Sequence, residues 1–158
     1  MKIHTLSPTD AARHFATHRL TLDYADVAAI GAAANGVIEA ISVAVGMAAR
    51  FAGLRLVTAF DFSDTGITSL LVEVGDGGDT DRLLGQTELA ADGTEILYYL
   101  EGKITQPYAY AAADTIDVKF TCANGGTPLL SECTSGEVEI LLYLEDRSKL
   151  KRPAGAIL

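Results

Sequence analysis

Three aspartates fall close together in the stretch VEVGDGGDTDRLL, residues 72–84, where carboxylates could hold a cation or transfer protons. They are Asp76, Asp79 and Asp81, with three glycines among them. Calcium accepts carboxylate and carbonyl oxygens in flexible geometry, and paired carboxyl groups can act as acid and base in hydrolysis. The spacing does not match an EF-hand loop. Asp and Gly are also the residues that tight turns need. We therefore predict a turn and no metal site, with a calcium loop as the alternative.

The other reactive side chains form no recognisable catalytic set. His14 and His18 are one helical turn apart and could share a metal, but only His4 is near enough in sequence to be a third ligand. Cys122 and Cys133 flank a Gly- and Pro-containing loop, so a bridge is conceivable; two free thiols are the preferred interpretation. The chain lacks the GxSxG, HExxH and phosphate-loop motifs. The sequence predicts no enzyme and no cofactor.

Four tyrosines offer a different kind of site, a platform for a sugar ring. They are Tyr98, Tyr99, Tyr108 and Tyr110. Sugar sites commonly use aromatic faces, but this chain has no Trp, and tyrosines at strand ends more often straddle core and solvent or face a partner subunit. A lectin-like glycan-binding module is therefore an alternative function. A hydrolase that uses two carboxyl groups as acid and base is the least favoured alternative.

Charge separates the body of the chain from its C-terminal end. The net charge is −9, from twelve basic and twenty-one acidic residues, which disfavours binding to nucleic acid. No stretch approaches the length of a membrane span, and no signal peptide is recognisable. Basic residues instead gather near the C-terminus and in the N-terminal segment, where we predict contacts with partner proteins. The predicted partner-binding residues are His14, Arg19, Arg147, Lys149, Lys151 and Arg152.

The elements that must position these residues are mostly strands. Ser7, Pro8 and Asp10 form a helix-start signal, which predicts a short helix from Pro8 to about Thr17. Strand signals then predict strands within residues 34–46, 51–62, 67–75, 95–102, 109–123 and 136–146. The predicted one-sided sets are Val37, Glu39, Ile41, Val43 and Val45; Leu54, Leu56 and Thr58; Thr68, Leu70, Val72 and Val74; and Val138, Ile140, Leu142 and Leu144.

Short strands separated by Gly/Asp turns, without long helices between them, predict an all-β fold, an antiparallel β-sandwich. No repeat or linker divides the chain. We predict an N-terminal arm at 1–19, a β-sandwich domain at 20–146 and a basic C-terminal tail at 147–158.

Three stretches resemble a group of small tailed-phage virion proteins. They are FDFSDTGITSLLVEVGDGGDTDRLL, YAAADTIDVKFTCANGG and ECTSGEVEILLYLED, and the resemblance covers roughly residues 50 to 145. It implies a β-sandwich, jelly-roll-like, of the capsid decoration or cement type, which commonly sits as trimers where major capsid subunits meet. The expected partners are then the major capsid protein and two further copies of this chain, and the expected location is the virion surface. A head–tail connector or tail protein is the alternative in the same setting.

Overall fold

The computed structural model describes residues 1–90, 102–124 and 127–149, with the side chains of residues 13, 14, 90 and 149 excepted. Within these ranges two antiparallel sheets pack against each other, which confirms the predicted antiparallel β-sandwich. The jelly-roll connectivity stays a prediction. The strands are β1 (Lys2–Thr5), β2 (His18–Asp23), β3 (Asn35–Val43), β4 (Met47–Phe62), β5 (Ser69–Asp76), β6 (Asp79–Ala90), β7 (Tyr108–Ala109), β8 (Asp114–Ala123) and β9 (Cys133–Asp146). The helices are α1 (Pro8–His14) and α2 (Tyr24–Ala28), with single 3-10 turns at Leu130–Glu132 and Arg147–Lys149.

The strand order is β1-β2-β9-β4-β7 in the five-stranded sheet and β3-β8-β5-β6 in the four-stranded sheet. Successive side chains of a strand point to opposite faces, so the apolar half of each strand meets the other sheet. The predicted inner face of 137–144 is confirmed, and that of 67–75 is confirmed from Leu70 onward. The residues concerned, Leu70, Val72, Val74, Val138, Ile140, Leu142 and Leu144, are all buried. Thr68 is exposed and Ile67 is buried, because β5 and its alternation begin only at Ser69.

The predicted face of β3 is wrong beyond its middle. The register against β8 shifts between Glu39 and Ile41, as at a β-bulge. A bulge adds one residue to one strand, which moves the following side chains to the other face. Val43 is therefore buried, whereas Val37, which precedes the bulge, is 45% exposed. Val45 lies beyond the end of β3 and is 58% exposed.

The N-terminal segment contains the predicted helix and one strand that was not predicted. Ser7 accepts a hydrogen bond from the amide of Asp10, and Pro8 occupies the first turn, so the start of α1 is confirmed. The helix ends at His14, three residues earlier than expected. Before it, β1 pairs with β2, and β2 crosses the predicted boundary between arm and sandwich. Residues 150–158 of the predicted tail and residues 95–101 of the strand predicted at 95–102 lie outside the described residues.

In the described part of the chain, no helix has the length and apolar character that crossing a membrane requires.

Candidate partner-binding face

The arginines gather on the outer face of the five-stranded sheet. Among arginines whose side chains the structure describes, Arg82 alone lies elsewhere. Strand β9 lies between β2 and β4, and its outward residues alternate with the buried ones. We call this surface the arginine face; it consists of Arg19, Arg50, Arg55, Glu139, Tyr143, Glu145 and Arg147.

Glu139 is shared by two arginines from the neighbouring strands. Arg19 Nη1 lies 3.3 Å from Glu139 Oε1, and Arg55 Nη1 lies 3.6 Å from Glu139 Oε2. The side chains of the two arginines are 39% and 47% exposed. Because exposed ion pairs typically contribute between about 0 and 1 kcal/mol, this arrangement orients the guanidinium groups more than it stabilises the fold.

A second carboxylate, Glu145, links Tyr143 to Arg147. The Tyr143 hydroxyl donates to Glu145 Oε2 at 2.8 Å, and Arg147 Nε donates to Glu145 Oε1. These two hydrogen bonds, that of Tyr143 first, lower the pKa of Glu145. The same hydrogen bond to Glu145 raises the pKa of Tyr143, because it favours the protonated hydroxyl.

An apolar cleft lies where α1 meets the arginine face. Its volume is about 210 Å³, and we call it the Phe15 cleft. It is lined by Ala11, Phe15, Ala16, Thr17, Arg50 and Tyr143. Thr17 holds this part of the chain on β9, because its amide donates to the carbonyl of Leu142 and its hydroxyl oxygen accepts from the amide of Leu144, both at 2.8 Å.

Phe15 and Arg50 form the mouth of the cleft. Phe15 follows the last residue of α1 with φ 51° and ψ 34°, the left-handed region, and is 75% exposed. Its carbonyl accepts a hydrogen bond from Arg50 Nη2 at 3.4 Å. The guanidinium carbon of Arg50 lies 5.7 Å from the ring centroid of Tyr143, within range of a cation–π interaction.

The structure brings together only part of the predicted partner-binding set. Arg19 and Arg147 lie on the arginine face, and His14 is the last residue of α1, next to the Phe15 cleft, although its side chain is not described. Lys149 ends the 3-10 turn after β9, again without a described side chain. Lys151 and Arg152 lie outside the described residues. Their role in binding stays a prediction.

Sequence reasoning missed Phe15, Arg50, Arg55 and Tyr143 as members of this surface. Arg50, Arg55 and Tyr143 lie at outward positions of β4 and β9, where alternation was used only to find the core, and Phe15 fell inside the helix predicted from Pro8 to about Thr17. The available signal was a charged or aromatic residue at the outward positions of otherwise apolar strands.

The acidic stretch of residues 72–84 is a β5–β6 hairpin, as the turn prediction requires. Asp76 Oδ1 accepts hydrogen bonds from the amides of Gly78 and Asp79, at 3.0 and 2.9 Å. Close approach of the backbone demands glycine at position 75, because a Cβ there would lie 2.0 Å from the Asp79 carbonyl oxygen. Among the described residues, no group of three or more His, Cys, Asp or Glu side chains is placed to hold a metal ion.

Asp76 also forms an ion pair that was not predicted. Its side chain is 2% exposed and pairs with Arg82, whose guanidinium carbon lies 4.2 Å from the ring centroid of Tyr108. The hydrogen bond to Asp76 is the main cause that raises the pKa of Arg82. At the hairpin's exposed end, Lys103 pairs with Asp81 at 2.8 Å, and this hydrogen bond lowers the pKa of Asp81. The charged residues of the hairpin thus pair with one another, and we interpret them as supporting the fold.

Of the two described tyrosines of the suggested sugar platform, Tyr110 is buried and Tyr108 is half-buried. Tyr108 and Tyr110 pack edge to face with ring centroids 5.0 Å apart, and Tyr110 is 4% exposed. Burial raises the pKa of Tyr110. Tyr98 and Tyr99 lie outside the described residues. Tyr110 therefore belongs to the core, whereas Tyr108 packs against Arg82 and lines a cleft of about 630 Å³.

Cys122 and Cys133 are both free and buried, which confirms the preference for two thiols over a bridge. Burial raises the pKa of both thiols, that of Cys133 to about 12. Thiols in this state are protonated at neutral pH, and the thiolate is the nucleophilic form. Neither is prepared for nucleophilic chemistry.

Comparison with protein-family models, with curated proteins and with solved structures finds no match for this chain.

Proposed function

We propose that this chain is a structural virion protein that decorates and stabilises a tailed-phage capsid by docking its arginine face on the major capsid protein. The observation that carries the docking surface is the concentration of arginines, with Tyr143 and Phe15, on one side of an otherwise acidic molecule. The capsid setting rests on the resemblance of residues 50–145 alone.

The composition of the arginine face suits protein–protein contact. Arginine and aromatic residues are enriched at interfaces and supply most of their binding energy. A planar guanidinium can bind a carboxylate through two parallel hydrogen bonds, so an acidic partner surface fits this one. Because the net charge is −9, the arginine face is the part of the molecule that attracts an acidic partner.

Self-association as a trimer belongs to the same proposal. A cyclic trimer joins two different patches of each subunit, because every copy contacts its neighbours head to tail. The sandwich offers unlike surfaces for this, since Glu39 and Glu88 are exposed on the outer side of the four-stranded sheet, where Glu73 is paired with Lys119.

A direct test is binding to purified capsids that lack the protein. We expect the wild-type chain to bind saturably and to raise the temperature at which the particles release their DNA. The double variant Arg19→Gln/Arg55→Gln should bind at least tenfold more weakly, which corresponds to about 1.4 kcal/mol. Binding should also weaken with added salt, because the charges involved are exposed.

The matched control is Lys103→Gln/Lys119→Gln, which removes the same charge away from the arginine face. It should bind like wild type. Absence of wild-type binding would refute the capsid proposal, and equal loss in both double variants would refute the arginine face as the docking surface.

A further inference from the structure

Arg50 differs from the other three arginines of the arginine face because it forms no ion pair with a carboxylate of the described residues. Arg19 and Arg55 share Glu139, and Arg147 pairs with Glu145. Arg50 instead donates to a main-chain carbonyl and lies over the Tyr143 ring, and no carboxylate in the described part of the chain lies within ion-pair distance of it. Its positive charge is therefore free to pair with an outside group.

Phe15 is held in an unusual conformation beside that charge. The left-handed region at the end of a helix normally takes glycine, because a side chain there costs about 1 kcal/mol or more. Here a large aromatic side chain occupies it and remains 75% exposed. Neither helix propensity nor burial in the core explains a phenylalanine at this position, whereas an exposed aromatic anchor is typical of a binding site.

The cleft joins these two features. Its walls are almost entirely apolar, from Ala11, Ala16 and the ring of Phe15, and Arg50 lies at one side. Filling such a cleft removes water from around the guanidinium, which strengthens any ion pair formed there.

We propose that the Phe15 cleft binds an apolar side chain of the partner protein together with a neighbouring carboxylate, which pairs with Arg50. The apolar group packs against Phe15 and Ala11, and the carboxylate accepts from the free Nη hydrogens of Arg50. This assignment rests on the proposed function for the partner's identity as the capsid protein, but the chemistry of the cleft can be tested without it.

The first experiment uses the isolated, isotope-labelled chain and three small probes followed by NMR. Hexanoate combines an alkyl chain with a carboxylate, hexylammonium reverses the charge, and hexanol removes it. We expect hexanoate to shift the amide signals of Ala16, Thr17 and Tyr143 saturably, with a dissociation constant on the order of 10 mM. Hexylammonium should leave these signals unchanged, and hexanol should bind more weakly than hexanoate.

Two variants and a control define the site. Arg50→Gln should weaken hexanoate about fivefold and abolish its preference over hexanol. Phe15→Gly should weaken both probes, and Lys119→Gln, which removes one charge on the other sheet, should change neither. No localised shift with hexanoate, or equal binding of hexylammonium, would overturn the inference.

The second experiment repeats capsid binding with Arg50→Gln and Phe15→Gly. We expect each to lose at least fivefold in affinity. Unchanged affinity of both variants, with normal wild-type binding, would overturn the cleft as the contact point while leaving the proposed function in place. Failure of the wild type to bind would refute the proposed function, and the hexanoate experiment would then decide the cleft alone.

Discussion

Arg82 and Arg50 each place a guanidinium over a tyrosine ring, and only one of them also has a carboxylate. Arg82 lies 4.2 Å from the Tyr108 centroid and pairs with Asp76, which is 2% exposed. Arg50 lies 5.7 Å from the Tyr143 centroid beside an open cleft. The same two residue types therefore make a closed structural cluster in the hairpin and an open one on the arginine face.

The difference shows how to distinguish a structural arginine from a binding one. In the hairpin, both carboxylate oxygens of Asp76 accept hydrogen bonds from within the chain, two of them from Arg82, so this pair has little left to offer a partner. On the arginine face, the charge of Arg50 and the ring of Phe15 are both exposed and unmatched. Truncating a structural arginine lowers stability, whereas truncating a binding arginine lowers affinity.

The strongest test of this comparison makes the same substitution at both arginines. Arg82→Gln leaves the carboxylate of Asp76 buried and unpaired, and we expect it to lower the free energy of unfolding by roughly 2–3 kcal/mol, because Arg82 is partly exposed. Arg50→Gln should change it by less than about 0.5 kcal/mol. Urea unfolding measures both. Similar losses in the two variants would remove the distinction between the clusters.

A second test uses Asp117, a buried carboxylate that forms no ion pair with a basic side chain of the described residues. Asp117 is 5% exposed, its Oδ1 has no hydrogen-bond partner, and burial is the main cause that raises its pKa. A raised pKa in the folded state means that stability falls as the pH rises from the unfolded value near 4 through the folded one. Asp117→Asn should therefore stabilise the fold by about 1 kcal/mol at pH 7, with no gain below pH 4. Thermal unfolding at both pH values measures this, and a gain that is independent of pH would contradict it.

The smallest expected effect concerns the strain at Phe15. Phe15→Gly should raise the free energy of unfolding by roughly 0.5 kcal/mol, because glycine adopts the left-handed conformation freely and little packing is lost. The control Phe15→Ala keeps the strain and should give no gain. If both variants were less stable than wild type in urea unfolding, Phe15 would be a packing residue and the contrast with Arg82 would weaken. A glycine variant no more stable than the alanine variant would show that the left-handed conformation carries no strain.

Local sequence patterns predicted those parts of the fold that depend on neighbouring residues alone, such as apolar alternation or a helix N-cap. The inner faces of β5 and β9 follow strict alternation, and the start of α1 follows from Ser7 and Pro8. The β3 face failed because the bulge between Glu39 and Ile41 depends on its pairing with β8, which the local sequence does not contain.

The candidate site was predicted less well than the fold, and for a physical reason. Arg19 and Arg147 were predicted because basic residues gather near the two ends of the sequence. The residues that complete the surface, Arg50, Arg55 and Tyr143, come instead from β4 and β9. Arg50 and Tyr143 become neighbours only through the β4–β9 register. Likewise the turn at Asp76 could be read from Asp and Gly, whereas its buried pairing with Arg82 requires the folded hairpin.

The central position of β9 has a consequence for how the chain is made. β2 and β4 do not pair with each other; both pair with β9, so that Leu20 meets Ile140 across most of the sequence. Until residues 133–146 have left the ribosome, both earlier strands present open hydrogen-bonding edges, and contacts so distant in sequence form slowly. Synthesis of β9 is therefore the step that ends the exposure of those edges to other nascent chains.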